Sequence, residues 1–118
     1  MINKINNDLG TITIDREVIA RIAGHAATEG YGVVGMAAKN VRDGLVRLLK
    51  KESLSKGVRV HMGEKGLIIN LYIIVEYGTN ISAIAETLKS NVKYHVEEQV
   101  GLPVDAVNIF VEGVRMGR

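Results

Sequence analysis

Alternating apolar and polar residues predict two strands in the second half of the chain. Apolar positions recur every second residue over 58–62, which is the period of a strand with one buried face. Glycines at both ends of residues 63–66 predict a tight turn between the strands. The run 67–77 is aliphatic on one face and only partly polar on the other, so we expect its second face to be covered as well.

Apolar residues spaced by three and four predict two main helices. The first follows Asp15, a good N-cap residue, and ends at Gly30. The second covers 81–100, is capped by Asn80 or by the threonine before it, and stops at Gly101. A final strand near 107–114 comes after this helical crossover. It should therefore lie parallel to the strand over 67–77, with a right-handed connection.

A short extra helix is predicted over residues 41–51, although Gly44 weakens it. These elements together predict one α+β domain over 1–118, with 1–9 as a flexible lead-in. We expect a small mixed sheet of three or four strands, with the two main helices packed chiefly on one face. The strand order stays open.

Composition limits both the core and the compartment. The chain has 118 residues, of which 47% are hydrophobic, but it contains one Phe and no Trp, so the core should be aliphatic. Because there is no Cys, disulfides, thiolate metal sites and cysteine nucleophiles are excluded, which suits a reducing cytosol. The sequence shows neither a signal peptide nor an apolar run long enough to span a bilayer. We expect a cytoplasmic protein.

No residue pattern predicts catalysis. The three histidines, His25, His61 and His95, do not have the i, i+4 spacing of metal ligands. His95 lies beside the apolar stripe of its predicted helix, where a partly buried imidazole is commoner than a ligand. No nucleophile elbow is present. We therefore predict that the protein is not an enzyme and has no catalytic residues, no cofactor and no metal.

Residues 30–35 contain three glycines spaced as G-x-G-x-x-G. A dinucleotide site needs this motif after a first strand, whereas here it follows a predicted helix, so an irregular turn is the favoured interpretation. The inner part, from Gly32 to Gly35, is a G-x-x-G between two predicted helices, as in KH modules that clamp single-stranded nucleic acid. Its inner residues are valines, which offer no charge to a phosphate. An RNA-binding module stays an alternative.

Positive charge concentrates in the middle third of the chain. The basic patch consists of Lys39, Arg42, Arg47, Lys50, Lys51, Lys56 and Arg59. Against these seven stand two acidic residues, Asp43 and Glu52, so the local excess is +5, although the net charge of the whole chain is only +2. A solvated face is the commoner explanation of such a segment. An anionic partner such as lipid headgroups or RNA is the alternative, without aromatic residues for stacking.

Five segments in register resemble the alkaline-shock and general-stress family of bacterial envelope stress proteins, in its short stand-alone branch. They are 10–14 (GTITI), 31–36 (YGVVGM), 57–60 (GVRV), 71–78 (LYIIVEYG) followed by 80–81, and 107–111 (VNIFV). The resemblance implies a non-enzymatic, stress-associated scaffold or adaptor in the bacterial cytoplasm. It also implies that the protein self-associates and is held at the inner face of the membrane by a separate anchored partner.

The second face of the strand over 67–77 supplies a candidate interaction surface. Ile68, Tyr72 and Ile74 lie there, and another copy or a partner protein would bury them. Burial beneath the first helix or the glycine-rich segment is an equally good interpretation. Besides the RNA-binding module, an accessory subunit of a neighbouring enzyme stays an alternative function.

Overall fold

The structure is a computed structural model that describes residues 2–7, 10–40, 45–48 and 51–116, with side chains described for 15–38 and 54–116. Its elements in chain order are β1 (Ile2–Asn7), β2 (Gly10–Asp15), α1 (Arg16–Thr28), β3 (Val33–Asn40), β4 (Leu45–Leu48), a 3₁₀ helix (Lys51–Gly57), β5 (Val58–Met62), β6 (Leu67–Glu76), α2 (Ile81–Val100) and β7 (Val104–Arg115). The predicted α+β class is confirmed.

The main sheet is built on β6. Strand β7 pairs with β6 in parallel from Leu67 to Glu76, as predicted. On the other edge, β5 pairs antiparallel with the first half of β6 and β3 with the second half. Because β7 occupies one edge along its whole length, β3 and β5 must share the opposite edge end to end. Strand β4 pairs antiparallel with β3 and extends the sheet to five strands. The sheet is mixed, because β7 is parallel to β6 and the other pairs are antiparallel.

Local capping explains the boundaries of both main helices. At the start of α1, the Asp15 side chain accepts a hydrogen bond of 2.8 Å from the backbone N–H of Glu17. At the start of α2, the Asn80 side chain accepts one of 3.1 Å from the N–H of Ala83. Helix α2 ends at Gly101, which adopts the left-handed conformation with φ of 81°. The two predicted main helices are confirmed.

Both helices pack on one face of the sheet and enclose an aliphatic core. From β6 the core takes every second side chain, namely Leu67, Ile69, Leu71, Ile73 and Val75. From α2 it takes Ile84, Leu88, Val92 and Val96, which are spaced by four residues. Helix α1 adds Ile19 and its buried alanines. Among the described residues, this core contains no aromatic side chain, in agreement with the composition.

The helix predicted over 41–51 is wrong. Leu45–Leu48 forms strand β4, antiparallel to β3, and the following helix is a 3₁₀ turn over Lys51–Gly57. The apolar spacing in this segment fitted a helix, but the backbone hydrogen bonds are satisfied by the neighbouring strand instead. Pairing between segments thus overrode a weak local preference.

One further expectation needs correction. The irregular turn predicted over residues 30–35 is short, because Val33–Asn40 is strand β3 and only the first glycines precede it. Within 1–9, where the sequence predicts a flexible lead-in, Ile2–Asn7 forms strand β1, paired antiparallel with β2. The turn between β5 and β6 forms as predicted, with the N–H of Gly63 donating to the carbonyl of Gly66 at 2.8 Å.

Candidate interaction surface

The face of the sheet that points away from the helices is less buried than the core face. Side chains alternate along β6, so Ile68, Asn70 and Tyr72 lie on this second face. They are partly buried, whereas their core-face neighbours are fully buried. The predicted partly polar second face is therefore present.

Strand register places the second-face residues in rows across the sheet. One row runs from Arg59 on β5 through Asn70 on β6 to Asn108 on β7. In it the side-chain amide of Asn108 donates to that of Asn70 at 2.9 Å. The next row runs from His61 through Ile68 to an alanine at position 106. Polar and apolar rows thus alternate along the strands.

An aromatic pair forms the third row. The rings of Tyr72 and Phe110 are stacked, with centroids 4.9 Å apart and an interplanar angle of 13°. Phe110 keeps 41% of its surface exposed although it is the single Phe of the chain. Stacking fixes both rings before any partner arrives, which lowers the entropy that a partner must remove. We name this surface the β6–β7 face; it consists of Ile68, Asn70, Tyr72, Ala106, Asn108 and Phe110.

In the fourth row, one of the residues predicted for the interaction surface is buried. Ile74 lies between Gly35 on β3 and Gly113 on β7, and it is fully buried. Of the three residues predicted for the surface, Ile68 and Tyr72 therefore keep exposed area and Ile74 does not. Sequence reasoning missed Phe110, because only the register of β7 against β6 places its ring over Tyr72.

The structure describes the side chains of only two members of the predicted basic patch. Lys56, in the 3₁₀ helix, and Arg59, on β5, are both exposed. Arg59 stands at the end of the asparagine row and so borders the β6–β7 face. The side chains of the other five patch members lie outside the described part of the chain; they are Lys39, Arg42, Arg47, Lys50 and Lys51.

The G-x-x-G segment does not have the geometry of a KH loop. Gly32 immediately precedes strand β3, and Gly35 lies within β3, paired with Ile74. The segment therefore connects a helix to a strand. The predicted position between two helices is wrong, since the second helix does not form.

The histidines are dispersed over the described surface. His25 on α1 is exposed and lies beside Glu29, with Nε2 and Oε2 3.5 Å apart. The ring of His95 on α2 meets Tyr94 edge to face at a centroid distance of 5.4 Å. A groove of about 270 Å³ between α1 and α2 brings His25 and His95 to its two walls. Among the residues whose side chains are described, no three His, Cys, Asp or Glu groups are placed to hold a metal ion.

One ionisable group on the helix layer is perturbed. A hydrogen bond of 2.8 Å from the Tyr94 hydroxyl to Glu98 raises the pKa of Tyr94, and the negative charge of Glu98 adds to the effect. Tyr94 is exposed and lies on the layer opposite to the β6–β7 face. This perturbation thus arises from a local pair on one helix turn.

Residues 4–116 match the model of the alkaline shock protein 23 family, described as having a cell envelope-related function. The chain belongs to this family. The resemblance found in the sequence is thereby confirmed, because the family is related to the cell envelope and one relative is named as a stress response regulator.

Three relatives illustrate the range of similarity. Uncharacterized protein YloU of Bacillus subtilis (strain 168) is 48% identical over 114 residues, which is 96% of this chain and 95% of YloU. Uncharacterized protein Spy1614 of Streptococcus pyogenes serotype M6 is 39% identical over 96% of this chain and 94% of its own length. The stress response regulator gls24 homolog of Streptococcus pyogenes serotype M3 is 31% identical over 90% of this chain but only 59% of the homolog. No solved structure matches the chain.

Within the part that the structure describes, neither α1 nor α2 is long and apolar enough to cross a bilayer.

Proposed function

We propose that this member of the alkaline shock protein family is a non-enzymatic scaffold or adaptor that associates with copies of itself through the β6–β7 face. One observation carries the proposal: the Tyr72–Phe110 stack stays partly exposed on the sheet face that both main helices leave free. The cell envelope-related description of the family supports a role in the envelope stress response.

The composition of the β6–β7 face supports contact between proteins. Protein interfaces are enriched in aromatic residues at their centres and have hydrogen-bonding groups towards their rims. Here the ring pair of Tyr72 and Phe110 lies next to the amide pair of Asn70 and Asn108. A face of this kind can meet its own copy about a two-fold axis, since each part then contacts its counterpart.

The residues of the β6–β7 face are poorly suited to catalysis. The amide, alkyl, phenyl and phenol groups of this face make contacts and hydrogen bonds, and no adjacent general base is present among them to activate a nucleophile. These features favour docking over bond-making.

A link to the membrane then needs a second protein. In this proposal the protein lies in the cytoplasm and reaches the inner face of the membrane through a membrane-anchored partner. Membership of a cell envelope-related family supports such a location, and the partner supplies the membrane span.

Molar mass in solution tests self-association. The purified wild-type protein should show a mass that rises with concentration in size-exclusion chromatography with light scattering. Phe110→Ser should lower that rise at unchanged folding, because it removes half of the exposed ring stack. The matched control is Tyr94→Ser, which removes an aromatic ring with 59% exposure on the helix layer. A wild-type protein that stays monomeric at high concentration contradicts the proposal.

Co-purification tests the membrane-anchored partner. Tagged wild-type protein and the Phe110→Ser and Tyr94→Ser variants are recovered from the native organism after mild solubilisation. We expect wild type and Tyr94→Ser to bring down the same integral membrane protein. Its absence from both preparations contradicts the adaptor role, whatever the self-association measurement gives.

A further inference from the structure

The outer edge of β7 is a second surface with a defined chemistry. Strand β7 has 12 residues and uses one edge for β6. None of the other described strands pairs with its second edge. Backbone N–H and C=O groups along such an edge are free to bond with an added strand. The stretch 106–111 (AVNIFV) has no charge, no Gly and no Pro, which suits strand pairing.

A cleft of about 320 Å³ runs along the first part of this edge. Its floor consists of five consecutive residues of β7, 104–108, and its wall carries Lys89 and Lys93 of α2. Consecutive residues of a strand point to opposite faces, so a cleft that all five line must follow the backbone edge. Since β6 takes the other edge, this is the outer one.

The charge of the cleft indicates which strand fits. Lys89 and Lys93 are exposed, stand one helix turn apart, and form no salt bridge with any described carboxylate. Asp105 is the one carboxylate that lines the cleft, which leaves the cleft net positive. The nearby carboxylate of Glu97 is engaged, because it accepts a hydrogen bond of 2.8 Å from the N–H of Val104.

The lysines also disfavour a second copy at this edge. Pairing two β7 strands edge to edge about a two-fold axis would bring four lysines together, and charged residues at edges are a common means of preventing such pairing. An acidic strand would instead complement both lysines. The charge of the lysines therefore disfavours self-pairing and favours pairing with an acidic strand of a different protein.

We propose that the outer edge of β7 takes up an extended acidic segment of a partner protein as an added strand, with Lys89 and Lys93 binding its carboxylates. Main-chain hydrogen bonds to 105–108 would supply affinity, since the N–H of Val104 already donates to Glu97, and the two lysines would select the sequence. This inference deepens the adaptor role proposed above and rests on it. The cleft shares Ala106 and Asn108 with the β6–β7 face, but it does not include the Tyr72–Phe110 ring stack.

Fluorescence anisotropy with defined peptides tests the proposal. The probe is a labelled, capped eight-residue peptide with glutamate at every second position and threonine between. Two matched peptides replace the glutamates by lysine, or methylate alternate backbone nitrogens. We expect only the unmodified acidic peptide to bind, with an affinity that falls as salt rises. Equal binding by the methylated peptide overturns strand addition and leaves a simple anion-binding patch.

Variants of the full chain locate the site. The double variant Lys89→Glu and Lys93→Glu should weaken binding of the acidic peptide by at least about tenfold. Lys56→Glu is the matched control, since that lysine is exposed on the 3₁₀ helix. Asp105→Asn should strengthen binding, because it removes the one carboxylate that lines the cleft. Unchanged affinity in the double variant overturns the proposal.

Phe110→Ser separates this inference from self-association. It alters the β6–β7 face but keeps the backbone of β7, so the peptide should bind it as it binds wild type. Loss of self-association with peptide binding retained would mean that the two surfaces act independently. Absence of peptide binding in a wild-type protein that still self-associates contradicts the strand-addition proposal alone.

Discussion

The two faces of β6 share one backbone and have opposite roles. On the core face, all five side chains from Leu67 to Val75 are buried against helices. On the second face, Ile68, Asn70 and Tyr72 keep exposed area and align with residues of β7. One side of a single strand can thus stabilise the fold by packing in the core, while the other side forms a docking surface.

The largest expected loss of stability comes from a substitution on the core face. Leu71→Ala removes a fully buried side chain from the middle of β6 and should lower the free energy of unfolding by about 2–5 kcal/mol. Ile68→Ala is the matched change on the second face and should cost about 1 kcal/mol, because its side chain is only partly buried. Urea denaturation measures both. Equal losses would remove the distinction between the two faces.

Two glycines next to core elements differ in whether a side chain added there would meet the core. Gly32 and Gly78 have similar positive φ values, 80° and 85°. A Cβ on Gly32 would lie 2.5 Å from Cδ1 of the core residue Ile84, whereas one on Gly78 meets nothing within 4 Å. Gly78→Ala should therefore cost about 1–2 kcal/mol from backbone conformation alone, and Gly32→Ala more. Thermal unfolding with equal losses for the two variants would contradict this packing argument.

A smaller effect on stability should come from the asparagine row. Asn108→Ala removes the hydrogen bond to Asn70 and should change the free energy of unfolding by about 1 kcal/mol or less. Self-association should nevertheless weaken, since the amide pair borders the ring stack. Asn91→Ala, an exposed change on α2, is the control for both urea denaturation and light scattering. A loss of stability without a change in association would place Asn108 among structural residues only.

The smallest effect concerns the helix layer. Glu98 raises the pKa of Tyr94 above its usual value of 10.0, and Glu98→Gln should bring it back towards that value. A raised pKa means that the folded state holds the proton more firmly than the unfolded chain. Its contribution to stability is therefore present below pH 10.0 and is lost as pH rises through the raised pKa. Absorbance at alkaline pH in Tyr94-only difference spectra, taken against Tyr94→Phe, measures the shift.

Local signals were enough to predict α2. Asn80 at its start, Gly101 at its end and an apolar stripe between them are all consistent with one helix over Ile81–Val100. The parallel strand after it follows from the same reasoning, because a helical crossover returns the chain in the same direction. These features depend on neighbours in sequence.

Non-local pairing was not predictable in this way. The strand Leu45–Leu48 depends on its partner β3, and its apolar spacing alone favoured a helix. The stack of Tyr72 on Phe110 joins residues 38 positions apart and depends on the exact register of β7. The sequence therefore indicated which face of β6 was unusual, but it could neither add Phe110 to that face nor remove Ile74 from it.

Fluorine NMR on Phe110 shows whether copies of the protein associate through the β6–β7 face. Phe110 is the only Phe in the chain, so incorporation of fluorophenylalanine gives one resonance from the β6–β7 face. We expect this resonance to shift with protein concentration and to become shielded from a soluble paramagnetic probe as the molar mass rises. A mass that rises while the Phe110 resonance stays unshifted and equally accessible would place self-association on a different surface.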